Sequence, residues 1–149
     1  MLRKCFNSFI LPCLEYCSPV WSAAADCHLK LLDKNLRACK FLIPDLNIDL
    51  WHRRSVARLC MLFKIFNNSM HPLTSELPDL YRPVRVTRNV LNSNSRSFAL
   101  SRFNTVQYSR SFIPATTKLW NDLPSHVVEC QDLQKFKLGA NAFLLRNPS

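Results

Sequence analysis

The side chains best suited to chemistry by type and spacing are Cys13, Cys17, Cys27 and His28, four soft or borderline metal ligands within sixteen residues. Cys13 and Cys17 stand one helical turn apart and could face one ion. Cys27 and His28 are sequence neighbours that diverge on a helix, so the set does not close a tetrahedral site. The seven cysteines are an odd number without regular spacing, and they are expected as reduced, small core residues. No metal and no cofactor is expected, a zinc-dependent module remaining the alternative that these four residues carry. His52, His71 and His126 read as surface or cap residues. The ten carboxylates are scattered with no two adjacent, so the clustered acids of a two-metal polymerase or nuclease are missing. No cysteine or histidine sits in a local signature of nucleophilic catalysis. A single glycine, Gly139, excludes the multi-glycine phosphate cradles of P-loop, dinucleotide-binding and kinase-type sites. The expectation is a chain that is not an enzyme.

Binding chemistry is better supplied. Between Asp79 and Asp122 there is no acidic residue, while Arg82, Arg85, Arg88, Arg96, Arg102, Arg110 and Lys118 supply seven cations. Tyr81, Phe98, Phe103, Tyr108 and Phe112 are interleaved with them. Cations track phosphates and rings stack on bases, which is the chemistry single-stranded nucleic acid requires. Arg53, Arg54, Arg58 and Lys64 add a polar helix face without an anion, and the whole chain carries +10 at pH 7. No base-reading pattern is visible, so RNA or DNA is expected as a partner through its backbone, independent of sequence. A solvated basic face, or arginines bound to helix C-termini, would give the same composition.

The elements that must position these residues follow from apolar periodicity. With 149 residues, 48% of them apolar, the chain can sustain one core. Residues 2–17 carry a helical stripe at Phe6, Phe9, Ile10, Cys13, Leu14 and Cys17, kinked at Pro12 and ended by Ser18-Pro19. Asp26 is the expected N-cap of a second helix over about 27–43, which Pro44 stops. The third, about 49–67, is the clearest amphipath, with Val56, Leu59, Cys60, Leu62, Phe63 and Phe66 on one side. From Met70 to about Gln107 periodicity fades into a long loop or arm, in which Arg82–Val86 and Val106–Ile113 are expected as extended pieces of a small ribbon. A last helix spans about 131–146. The fold class is therefore mainly α, about four helices with a long basic, partly extended insertion between the third and fourth. Residues 1–69 form a helical segment and 70–149 a basic arm plus C-terminal helix, read as one compact unit. No apolar run approaches the ~20 residues of a membrane span. Asn7, Pro12 and Glu15 break what would otherwise be a secretory leader. The expectation is an intracellular chain of cytoplasm or nucleus without a membrane partner.

Phe9–Trp21 (FILPCLEYCSPVW), His52–Ile65 (HRRSVARLCMLFKI), Tyr108-x-Arg110-x-Phe112 and Trp120-Asn121-x-Leu123-Pro124 stand in that order along the chain. In this arrangement the sequence resembles the region downstream of the polymerase palm in reverse transcriptases of LINE-type, non-LTR, jockey-like retrotransposons. The resemblance covers nearly the whole chain, from about Phe6 to Leu145, and the Trp-Asn-x-Leu-Pro turn is its most specific piece. It implies a helical thumb and C-terminal extension that grip template and primer while a palm elsewhere makes DNA. The family's catalytic pair of adjacent aspartates has no counterpart here, so no catalytic residue is carried over. The chain then reads as a truncated remnant of an RNA-directed DNA polymerase, at most binding RNA or DNA, with the missing palm as a possible partner. Met1 standing directly on the first helix agrees with that. Trp120, Asn121, Leu123 and Pro124 read as an architectural motif that holds the last helix to the core. A helical protein-interaction module without a nucleic-acid role is the alternative.

Overall fold

The computed structural model describes residues 1–147 except 23, 44, 45, 47, 69, 82–93, 101 and 103. The N-terminal stripe is not one helix through residue 17. It runs as α1 (Leu2–Cys5), a π-helical turn (Phe6–Ile10) and α2 (Leu11–Glu15). Pro12 has no N–H for the carbonyl four residues back, and the turn ahead of it widens to the longer register. Ser18-Pro19 does not end this helix but opens α3 (Ser18–Trp21), since the first turn of a helix needs no proline N–H. The break comes one residue earlier, at Cys17, which is left-handed with φ 50°.

Next come α4 (Asp26–Leu42) and α5 (Leu50–Asn67), close to the expected bounds. Asp26 is not the N-cap of α4. Ala25 holds that position, and the Asp26 carboxylate goes to Arg110 instead. Pro44 lies outside the described residues. Asp49 caps α5, its Oδ1 accepting from the N–H groups of Trp51 at 2.9 Å and His52 at 3.3 Å.

The second half departs further from expectation. After a 3₁₀ turn (Pro72–Glu76) and an isolated antiparallel bridge between Leu80 and Phe98, the chain forms α6 (Val106–Arg110), α7 (Phe112–Asn121), α8 (Ser125–Val128) and α9 (Leu133–Arg146). Val106–Ile113, expected as a ribbon strand, is helical, and its intended partner 82–86 lies outside the described residues. The count of four helices is likewise too low. Two local features favour helix here over β propensity. Thr105 Oγ1 accepts from the Tyr108 N–H at 3.3 Å as an N-cap, and Thr117 Oγ1 donates to the Pro114 carbonyl at 3.0 Å, so this threonine is buried without loss. Among the described residues there is no strand, and the chain is mainly helical.

Helix α5 is the hub, packing against α9, α7 and α3. Its Val56, Leu59, Leu62 and Phe63 meet Phe98, Trp120, Leu123, Val127, Val128, Phe136, Ala140 and Leu144 in the main core. Phe63 stacks on Phe136 at 4.4 Å between ring centroids, and Trp120 lies 5.5 Å from the same ring. A smaller cluster of Phe6, Leu11, Leu36, Leu46 and Leu50 joins the N-terminal helices to the start of α5. The core therefore crosses the sequence position near residue 69 where the helical segment was expected to meet the arm.

Gly139 faces α8 at close range. A Cβ there would stand 2.8 Å and 3.0 Å from the two methyls of buried Val127, a stiff β-branched side chain. Gly139→Ala gains about 1 kcal/mol of helix propensity and meets overpacking of roughly 1–3 kcal/mol. Denaturant unfolding is expected to show a net loss of up to about 2 kcal/mol, and the loss caused by Gly139→Ala should be smaller in a Val127→Ala background than in the parent chain. A stabilised single variant would mean that α8 yields freely.

Candidate nucleic-acid interface

The four cations of α5 do not share one surface. Arg53 makes a two-pronged ion pair with Glu15 of α2, its Nε on Oε1 and its Nη2 on Oε2 at 2.9 Å, and the carboxylate holds the guanidinium pKa above its ordinary value. Arg54 is 7% exposed, lies over the Trp21 ring at 5.0 Å, and reaches Asp33 at 3.4 Å through Nη1. Its Nε and Nη2 are buried without an acceptor. Arg58 is half-buried, and its one hydrogen bond is Nη2 to the Ser55 hydroxyl at 3.4 Å. Burial, and then the Arg54 charge beside it, push its pKa down. Lys64 is exposed.

Two grooves flank this helix. One, of about 450 Å³ between α5 and α9, takes Arg53 and Lys64 together with His52, Cys60, Lys137 and Asn141. His52 Nε2 and Asn141 Oδ1 are 2.6 Å apart across it. Burial raises the Cys60 pKa against the opposing pull of Lys137 and Lys64, so the thiol is held protonated and is a poor nucleophile. The other, of about 490 Å³, lies on the α7 side and takes Arg58, Arg110 and Lys118 together with Trp51. Trp51 carried no signal in the sequence, and Lys137 none as a groove cation. Each stands apart from the basic run and is brought to a groove only by packing on α5.

The basic run is likewise dispersed. Arg82, Arg85 and Arg88 lie outside the described residues. Arg96 is half-buried over the Phe66 ring at 5.8 Å. Arg110 is tied in a bidentate pair to Asp26, both contacts at 3.1 Å. Arg102 and Lys118 are exposed. Cys13, Cys17, Cys27 and His28 are all exposed, and among the described residues no group of three His, Cys, Asp or Glu side chains is placed to hold a metal ion. No helix among the described residues is long and apolar enough to cross a membrane.

The Trp-Asn-x-Leu-Pro turn does something else. Trp120 is fully buried, and its Nε1 donates to the Arg96 carbonyl at 2.9 Å. Asn121 Oδ1 accepts from the Phe98 N–H at 2.8 Å while its Nδ2 donates to the Phe98 carbonyl at 2.8 Å. One side-chain amide thus mimics the two-bond pairing of a neighbouring strand. Asn94 answers from the other chain segment, its Nδ2 donating to the Trp120 carbonyl at 2.7 Å and the Asn121 carbonyl at 3.3 Å. Leu123 is buried, and the Pro124 carbonyl accepts from the Val127 N–H at 3.0 Å, starting α8.

No protein-family model matches the chain, and neither the curated proteins nor the solved structures contain a match to it.

Asn121→Ala strands a buried N–H and a carbonyl of Phe98 and is expected to cost about 2–3 kcal/mol in chemical denaturation. Asn121→Asp keeps the acceptor but sets a carboxylate against the Phe98 carbonyl, which raises the folded-state pKa of the new acid. The neutral form is therefore favoured by folding, so this variant should regain stability as pH falls below about 5, where the protonated acid can donate again. A flat pH profile relative to the parent chain would rule out the pairing.

Proposed function

We propose that this chain is the thumb and downstream region of a LINE-type, jockey-like reverse transcriptase, and that it holds RNA or DNA through backbone phosphates without making DNA itself. The ordered series Phe9–Trp21, His52–Ile65, Tyr108-x-Arg110-x-Phe112 and Trp120-Asn121-x-Leu123-Pro124 carries the reading. Its support from the fold is that each motif falls on an element of the packed body: α2 and α3, α5, the α6–α7 junction, and the clamp at the end of α7. Synthesis belongs to a palm with paired aspartates, and this chain has no two adjacent acids. Of the candidate cations within the described residues, Arg58, Lys64, Arg96, Arg102 and Lys118 make no ion pair and suit phosphate contacts that position a strand without reading it.

One observation favours a second reading, a helical module for protein contact. Phe9, Tyr16, Val20, Leu31, Phe41 and Leu42 of the N-terminal helices are exposed. Large apolar side chains left in solvent on these helices are what a protein-contact surface would use.

Fluorescence anisotropy against single-stranded RNA, single-stranded DNA and an RNA–DNA duplex over a salt series separates the two. The expected result is salt-steep binding without sequence preference. Joint charge reversal of Arg82, Arg85 and Arg88 should then flatten the log–log salt slope by roughly two to three units. A folded, helical chain that binds none of the three probes would overturn the proposal in favour of the interaction module. Primer extension by the pure chain would overturn it from the opposite side.

A further inference from the structure

We propose that the groove between α5 and α7 is a site for one nucleotide unit of a single strand, with the phosphate on Arg58 and Lys118 and the ring on Trp51. The proposal deepens the nucleic-acid reading above and rests on it. Three observations, independent of the sequence resemblance, point to this groove among the surfaces of the molecule.

The first is a charge imbalance. Arg54 and Arg58 lie one turn apart on α5 with their charges opposing each other, and the single carboxylate paired with either is Asp33, 3.4 Å from Arg54. Arg58 keeps a buried Nε–H with no acceptor among the described residues, and its other contact is a neutral hydroxyl. A buried donor on an under-neutralised cation is stabilised by an oxyanion more than by any neutral group.

The second is the composition of the walls. Arg110 and Asp26 neutralise each other at one side through their bidentate pair. Lys118 is exposed and makes no ion pair within 4.0 Å, although Asp122 also lines the groove. The remaining unpaired charges are thus the cations Arg58 and Lys118 against the single carboxylate of Asp122, a net positive charge.

The third is Trp51. It is 37% exposed in the first turn of α5, and its indole makes no hydrogen bond or ring contact with the described residues. Trp51 and Arg58 are seven residues apart, two turns along one helix face and about 10 Å along the axis. The length of the arginine side chain brings that separation within reach of a base and its own phosphate. An indole face accepts any base, and a guanidinium fork accepts any phosphate, which matches binding without sequence preference.

The test uses the full chain and a fluorescein-labelled oligothymidylate, with inorganic phosphate and thymidine monophosphate as competitors. Trp51→Ala is expected to weaken oligonucleotide binding by roughly five- to fiftyfold. Arg58→Gln and Lys118→Gln should each reduce the salt slope by about 0.7. Thymidine monophosphate should displace the probe at lower concentration than inorganic phosphate. Circular dichroism checks folding of Arg58→Gln, and the exposed positions Trp51 and Lys118 keep the test decisive if that variant unfolds. Tight binding by the parent chain that survives Trp51→Ala and Lys118→Gln unchanged would overturn the groove and leave the broader reading standing. Equal competition by phosphate and nucleotide, with no effect of Trp51→Ala, would reduce the site to a bare anion site and overturn the assignment of the ring. Failure of the parent chain to bind any oligonucleotide would remove both.

Discussion

An indole and an amide at the C-terminal end of α7 hold the irregular segment around Phe98 to the helical core. Trp120 fills the centre of the main core, within 6 Å of the Phe66, Phe98 and Phe136 rings, while its Nε1 and the Asn121 amide bind the backbone of residues 96–98. Burying an irregular segment normally strands its N–H and C=O groups, at a cost comparable with the burial gained. Here Asn121 satisfies both polar groups of Phe98, so the Phe98 ring can enter the core. Asn94 and Ser97 are buried beside it, the serine hydroxyl donating to the Asn94 carbonyl at 2.8 Å. The described residues between α5 and α6 hold no regular element longer than a 3₁₀ turn, so side-chain amides do here what a ladder does in a sheet.

The excess of arginine has a structural use that net charge does not reveal. Three of the ten acids, Glu15, Asp26 and Asp33, are each taken by an arginine from another element. Those pairs tie α2 to α5, α4 to α5, and α4 to α6. The Asp26 pair is exposed on both sides and worth little by itself, and the Glu15 pair is half-buried. Arg54 differs: it is desolvated, shielded by Trp21, and only partly compensated. A buried guanidinium of that kind stabilises weakly but specifies geometry, because removing its partner leaves an uncompensated charge. The polar face of α5 is therefore divided by function, with Arg53 and Arg54 engaged in packing while Arg58 and Lys64 face separate grooves.

How much of this was legible in sequence depends on the range of the interaction. Helices α4, α5 and α9 were readable from their apolar stripes because periodicity is local, and their ends fall within about two residues of the pattern. Helix α7 was not. Its inward stripe is Pro114, Thr117 and Trp120, with Thr116 beside it, residues whose types suggest a strand or a turn until Thr117 is seen bonded inside its own helix. The role of Asn121 was invisible for another reason, since its partner is 23 residues away and only the fold brings them together. Arg54 looked like any cation on a polar face, because a helical wheel has no place for a tryptophan from another helix.

The same distinction bears on the proposed role. Exposed apolar side chains concentrate on the N-terminal helices, with Phe9, Tyr16, Val20 and Phe41 each more than 70% exposed, whereas Arg58 and Lys118 border a groove between α5 and α7. A reverse-transcriptase thumb needs both kinds of surface, one apolar to rest on the polymerase body and one cationic to hold a strand. An interaction module needs only the first. The buried Nε–H of Arg58 is a charged donor, and an anionic acceptor satisfies it better than a neutral one. Arg58 and Lys118 are thus the residues through which a polyanionic partner would act, and the apolar faces those through which a protein one would.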